Sequence, residues 1–128
     1  MNSTARPIIV TGALLAFLGV VLGAFGAHAL KTRIDADLLA VYQTGVQYHL
    51  MHALGVILVG VLVQILPPSK WLPIAGWAMI VGVVLFSGSL YALSLTGIRG
   101  LGAITPVGGL ALLAAWLLVV AGVAKAAK

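Results

Sequence analysis

The side chains best suited to chemistry in this chain are three histidines, His28, His49 and His52. His49 and His52 are three residues apart, which puts them on adjacent parts of one helix face. Three imidazoles could bind a metal, and a pair from facing helices could hold haem. The plainer reading is that each bonds a backbone carbonyl, a Gln or a Tyr across a helix contact. Composition favours the plainer reading. The chain has no cysteine, which removes thiolate ligands, thiol nucleophiles, disulfides and covalent c-type haem attachment. Its only acids, Asp35 and Asp37, fall in one short segment, where a solvated turn with a helix cap accounts for them. No carboxylate pair for acid–base work exists elsewhere, and no nucleophile–base–acid set can be assembled. We therefore expect no catalytic residue, no metal and no cofactor, and a protein that is not an enzyme.

Hydroxyl groups gather at Ser87, Ser89, Tyr91, Ser94 and Thr96. They could line a pore or pocket, or they could bond neighbouring helices. Gly108 and Gly109 permit close approach of a ligand, or of another helix.

These residues must be positioned inside a membrane. The chain has 128 residues, 62% hydrophobic and only 7% charged, far too little charge for a wet surface. Its apolar runs are long enough to cross a hydrocarbon core of about 30 Å. They lack the alternation of barrel strands, so helices must satisfy the backbone. The fold class is all-α, an integral membrane four-helix bundle in one domain. Helices are expected over about 8–30, 38–66, 71–95 and 105–123, the first a retained span rather than a signal peptide.

Local signals set the boundaries. Asp35 or Asp37 can cap the second helix, and Pro67-Pro68 ends it. Thr105 can act as N-cap of the fourth, with Pro106 in the first helical position. In the first helix Gly12, Gly19, Gly23 and Gly26 recur along one face, a strip suited to close helix packing. The second helix opens with an apolar side at Leu38, Leu39, Tyr42 and Val46. Its polar side carries Gln43, Thr44 and Gln47.

Alternating direction brings the end of helix one, the start of two, the end of three and the start of four to one membrane face. His28, Gln43, Gln47, Tyr48, His49, His52, Tyr91, Ser94, Thr96 and Thr105 therefore gather in one half of the protein, and Ser87 is a further candidate for a polar cluster. His28, Tyr48, His52 and Tyr91 are expected in one layer, directed into the bundle. The other half, including Leu112 to Val120, reads as nearly featureless. No Asp, Glu, Lys or Arg falls in mid-span, where coupled transporters usually keep one.

The net charge of +5 comes from Lys and Arg placed singly or in pairs at the ends of apolar runs, so nucleic acid is not an expected partner. The termini side carries Arg6, Lys70, Lys125 and Lys128, against Lys31, Arg33 and Arg99 opposite. That excess predicts both termini in the cytoplasm.

Four segments resemble the hallmarks of domain-of-unknown-function family 423. They are Gly23-Ala-Phe-Gly-Ala-His-Ala-Leu30, Gln43-Thr-Gly-Val-Gln-Tyr-His-Leu-Met-His-Ala-Leu54, Leu85-Phe-Ser-Gly-Ser-Leu-Tyr91 and Thr105-Pro-Val-Gly-Gly109. The resemblance spans essentially the whole chain and implies four spans in a bacterial inner membrane. It implies no activity. The family pattern keeps the residue types of His28, Tyr48 and His52 but often has Gln where this chain has His49, which favours the first three as site residues. The expected role is that of a non-enzymatic membrane protein acting as a homo-oligomer or an accessory subunit, with lipid and a membrane protein as partners. The alternative is a channel or transporter for a small solute, with a vestibule in the polar half. A haem- or metal-binding role comes third.

Overall fold

The computed structural model describes residues 1–126, so Lys128, one of the flanking charges counted above, lies outside the described residues. Among those residues there are four long helices and no strand. Helix α1 is Ala5–Phe25, continued by a π-helical turn, Gly26–Leu30. Helix α2 is Ala36–Ile65, α3 is Trp71–Thr96 and α4 is Thr105–Ala126, the last preceded by a 3₁₀ turn, Arg99–Ala103. All four are long and apolar enough to cross a bilayer. The protein is an all-α integral membrane protein.

The ends of the helices differ from expectation for identifiable reasons. Helix α1 starts three residues before Ile8 because Asn2 caps it, its Oδ1 accepting from the amides of Thr4 (2.7 Å) and Ala5 (3.0 Å). The Asn2 amide also donates to Gln64 Oε1 at 2.8 Å, tying the start of α1 to the end of α2. Asp35 occupies the N-cap position of α2 with extended backbone, but its carboxylate makes no cap bond. Asp37 sits in the first turn and pairs with Arg99 across the membrane face (3.1 Å), linking turns one and three. Thr105 is the first residue of α4, not its cap, because its hydroxyl is drawn sideways to Ser89. Gly97 ends α3 in the left-handed region, at φ 72°, and its amide returns to the Leu93 carbonyl at 2.8 Å.

Glycine sets the packing. Lipid tails are as apolar as the helices, so association depends on close contact rather than on a hydrophobic drive. The glycine strip of α1 lies on α2 in an antiparallel ladder that pairs Gly12 with Ile57, Gly19 with Leu50, Gly23 with Val46 and Gly26 with Tyr42. Gly60 of α2 continues it against Ile9. The α3–α4 contact is built the same way, with Gly82 on Leu112, Gly108 on the backbone at Phe86 and Gly122 on Leu72. Each helix packs on the next in sequence, and α1 shares no extensive interface with α4. Ile8, Val56, Val59, Ala75, Met79, Val83, Leu112 and Ala115 form the buried core.

Candidate functional site

Two histidines on α2 organise the polar half. His49 is buried and bridges three helices. Its Nε2 lies 2.7 Å from the Leu15 carbonyl of α1, and its Nδ1 lies 2.8 Å from the Tyr91 hydroxyl of α3. A carbonyl can only accept, so Nε2 carries the hydrogen, and Tyr91 donates to Nδ1. His52, also buried, has the opposite tautomer. Its Nδ1 donates to the Tyr48 carbonyl one turn back (2.8 Å), which leaves Nε2 to accept from the indole N–H of Trp116 on α4 (3.1 Å). Each neutral imidazole therefore has both nitrogens engaged.

The hydroxyl groups of α3 are spent in the same way. Ser87, fully buried, donates across to the Gly45 carbonyl of α2 at 2.7 Å. Gly45 lacks a Cβ where Tyr91 and Leu90 press against it. Ser89 Oγ donates to the Phe86 carbonyl and shares a 2.6 Å bond with Thr105 Oγ1 of α4. Ser94 donates back to Tyr91, and Thr96 to Ala92. On α1, the Leu22 carbonyl accepts the Tyr42 hydroxyl (2.5 Å) just where the helix widens into its π-helical turn. Every buried side-chain polar atom among the described residues has a partner. Such bonds contribute roughly 0.6–2 kcal/mol each in a membrane protein.

His28 does not join this network. It is exposed, on the π-helical turn, so the expectation that it points into the bundle is corrected. Helical phase gives the reason. His28 follows Gly19 by nine residues, about two and a half turns at 3.6 residues per turn, so a helix that buries Gly19 turns His28 outward. Gln43 and Gln47 are also exposed. They flank a crevice of about 220 Å³ between α1 and α2 that is lined by Gly23, Gly26, Ala27, Tyr42 and Val46. Tyr48 is partly exposed, 37%, and belongs to a different opening.

That opening is a recess of about 480 Å³ between α2 and α4, facing the membrane. Four rings form a continuous chain along it. Phe86 and Tyr48 have centroids 4.5 Å apart, Tyr48 stacks on His52 at 5.9 Å, and His52 meets Trp116 edge-on at 5.9 Å. Pro106 and Gly109 from the first turns of α4, with Leu110 and Leu113, complete it. Trp116 belongs to the segment read as featureless. An indole N–H in mid-span needs an acceptor, and that signal could have identified it from sequence. Among the described residues no three His, Cys, Asp or Glu side chains converge as a metal shell.

The sequence has relatives among known proteins. A family model described as "Protein of unknown function (DUF423)" matches residues 22–109. The chain is 50% identical to the UPF0382 membrane protein YwdK of Bacillus subtilis, over 94% of this chain and 98% of that protein. It is 45% identical to the UPF0382 membrane protein SH2409 of Staphylococcus haemolyticus, over 88% and 90%. It is 39% identical to the UPF0382 inner membrane protein YgdD of Escherichia coli, over 93% and 90%. No solved structure matches the chain.

Proposed function

The chain belongs to the DUF423 family, and from that premise we propose that it is a non-enzymatic protein of the inner membrane that acts through partners, as a homo-oligomer or an accessory subunit. The aromatic recess between α2 and α4 carries this reading. The glycine strip of α1 is used up against α2, and the buried hydroxyls and imidazoles are used up between helices. The recess presents a concave surface rimmed by the aromatic side chains Tyr48 and Trp116 together with Leu110 and Leu113. Aromatic anchors around a pocket are the usual energetic centre of an interface, and a convex helix face of a second protein fits such a surface. Both termini lie in the cytoplasm in this account. Arg6, Lys70, Lys125 and Lys128 flank the spans on that side, against Lys31, Arg33 and Arg99 on the other, and this excess supports that orientation.

The second reading, a small-solute transporter, draws on the crevice that carries Gln43 and Gln47. Native mass spectrometry of gently purified protein separates the two. The partner reading expects a mass above one chain, as a homo-oligomer or with a second protein. A bare monomer that retains a small polar solute favours transport.

A further inference from the structure

Two lysines meet on one indole at the termini face. Lys125 Nζ lies 4.1 Å and Lys70 Nζ 5.1 Å from the centre of the Trp71 ring. The ring attracts each cation, but the cations repel one another. Neither pairs with a carboxylate side chain among the described residues. No side chain of this chain can supply one, because the only acids, Asp35 and Asp37, stand at the opposite membrane face. The two lysines, with Pro67, Pro68, Ser69 and Trp71, wall a cavity of about 480 Å³. Two ammonium groups around a cavity, with no acidic side chain beside them among the described residues and a tryptophan at headgroup level, suit a phosphate.

A second cavity identifies the source of that phosphate. It measures about 450 Å³ and is lined by Pro73, Ile74, Trp77, Ala78, Val81 and Ala111, all apolar. Trp71, Ile74, Ala78 and Val81 follow one another at three- and four-residue steps, so they form one stripe down α3. The ten residue steps from Trp71 to Val81 rise about 15 Å, half the hydrocarbon thickness, which is the depth of one leaflet. A free phosphate would use only the upper cavity. A phospholipid has a group suited to each, a phosphate for the lysine cavity and an acyl chain for the apolar one.

We propose that this face of α3 and α4 is a specific site for one anionic phospholipid, its phosphate held by Lys70 and Lys125 and an acyl chain laid along Ile74, Ala78 and Val81. The phosphate cavity lies at the other end of the bundle from the aromatic recess, the acyl groove reaches α4 at Ala111 without sharing a lining residue with that recess, and the site does not depend on the partner reading.

The test is native mass spectrometry of delipidated protein titrated with phosphatidylglycerol or phosphatidylcholine. Wild type should retain one phosphatidylglycerol in preference to phosphatidylcholine. The double variant Lys70→Gln/Lys125→Gln should bind it about 25-fold more weakly, since each lysine near an anionic surface contributes about fivefold. Val81→Trp, which fills the lower groove and keeps both charges, should also weaken binding. Lys31→Gln/Arg33→Gln at the opposite face should not. Unchanged thermal midpoints verify that the variants fold. An undiminished preference in the double variant would overturn the proposal. So would displacement of the lipid by millimolar inorganic phosphate, because it would mean that the acyl groove contributes nothing.

Discussion

Gly108 and Gly109 are neighbours on α4, yet alanine should act on them in opposite directions. A Cβ on Gly108 would fall on the backbone nitrogen of Phe86, 2.7 Å from its Cα and 2.9 Å from the Leu85 carbonyl carbon. Those atoms belong to α3 itself and cannot swing aside as a side-chain tip can. Helix α4 would have to retreat by about 1 Å to restore ordinary contact, loosening the neighbouring Gly82–Leu112 packing as well. Overpacking of this kind costs about 1–3 kcal/mol, and a backbone obstacle puts Gly108→Ala at the upper end. A Cβ on Gly109 would meet only the Phe86 ring, at 3.8 and 3.9 Å, which is normal contact. Alanine there gains contact and helix propensity, worth about 0.5–1 kcal/mol. Thermal unfolding in detergent, followed by tryptophan fluorescence, should show Gly108→Ala several degrees below wild type and Gly109→Ala at or slightly above it. Equal midpoints for the two variants would refute the α3–α4 register described here.

Other contacts give equally direct tests. Gly19→Leu should destabilise by about 1–3 kcal/mol in the same assay, because even a Cβ would sit 2.6 Å from Leu50 Cδ2. His49→Gln should be tolerated, since an amide can both donate to Leu15 and accept from Tyr91. His49→Leu should cost about 1–3 kcal/mol by stranding both partners, and Tyr91→Phe should cost less. Asn2→Ala should lose about 0.5–2 kcal/mol with the α1 cap, read as a lower thermal midpoint and faster proteolysis near the N-terminus.

The sequence made the spans and turns plain, because apolar length and proline or charge punctuation report them directly. Which way each helix faces was harder to see. In a membrane both the lipid side and the protein side are apolar, so hydrophobic periodicity carries no orientation, and glycine spacing has to supply it. Gly12, Gly19, Gly23 and Gly26 did so for α1, and the same phase, carried on to residue 28, turns His28 outward. Thr105 read as a cap from local pattern alone, since its real partner, Ser89, is sixteen residues away and reaches it only after α3 and α4 pack. His49 seemed the weaker histidine because the family pattern often has Gln there. Its place between Leu15 and Tyr91 engages both ring nitrogens, and a Gln there would offer the same donor and acceptor.

The partner reading rests on the recess between α2 and α4, and cross-linking in isolated membranes tests it most directly. The chain has no cysteine, so a single introduced thiol reports one position. Leu113→Cys places it on the recess rim and Leu14→Cys on the outer side of α1, both exposed to a comparable degree, 63% and 59%. The account predicts that a short thiol-to-thiol or thiol-to-amine reagent captures a second chain or partner at Cys-substituted position 113 and not at position 14. Equal capture at both positions, or none at position 113 with the protein intact, would contradict it.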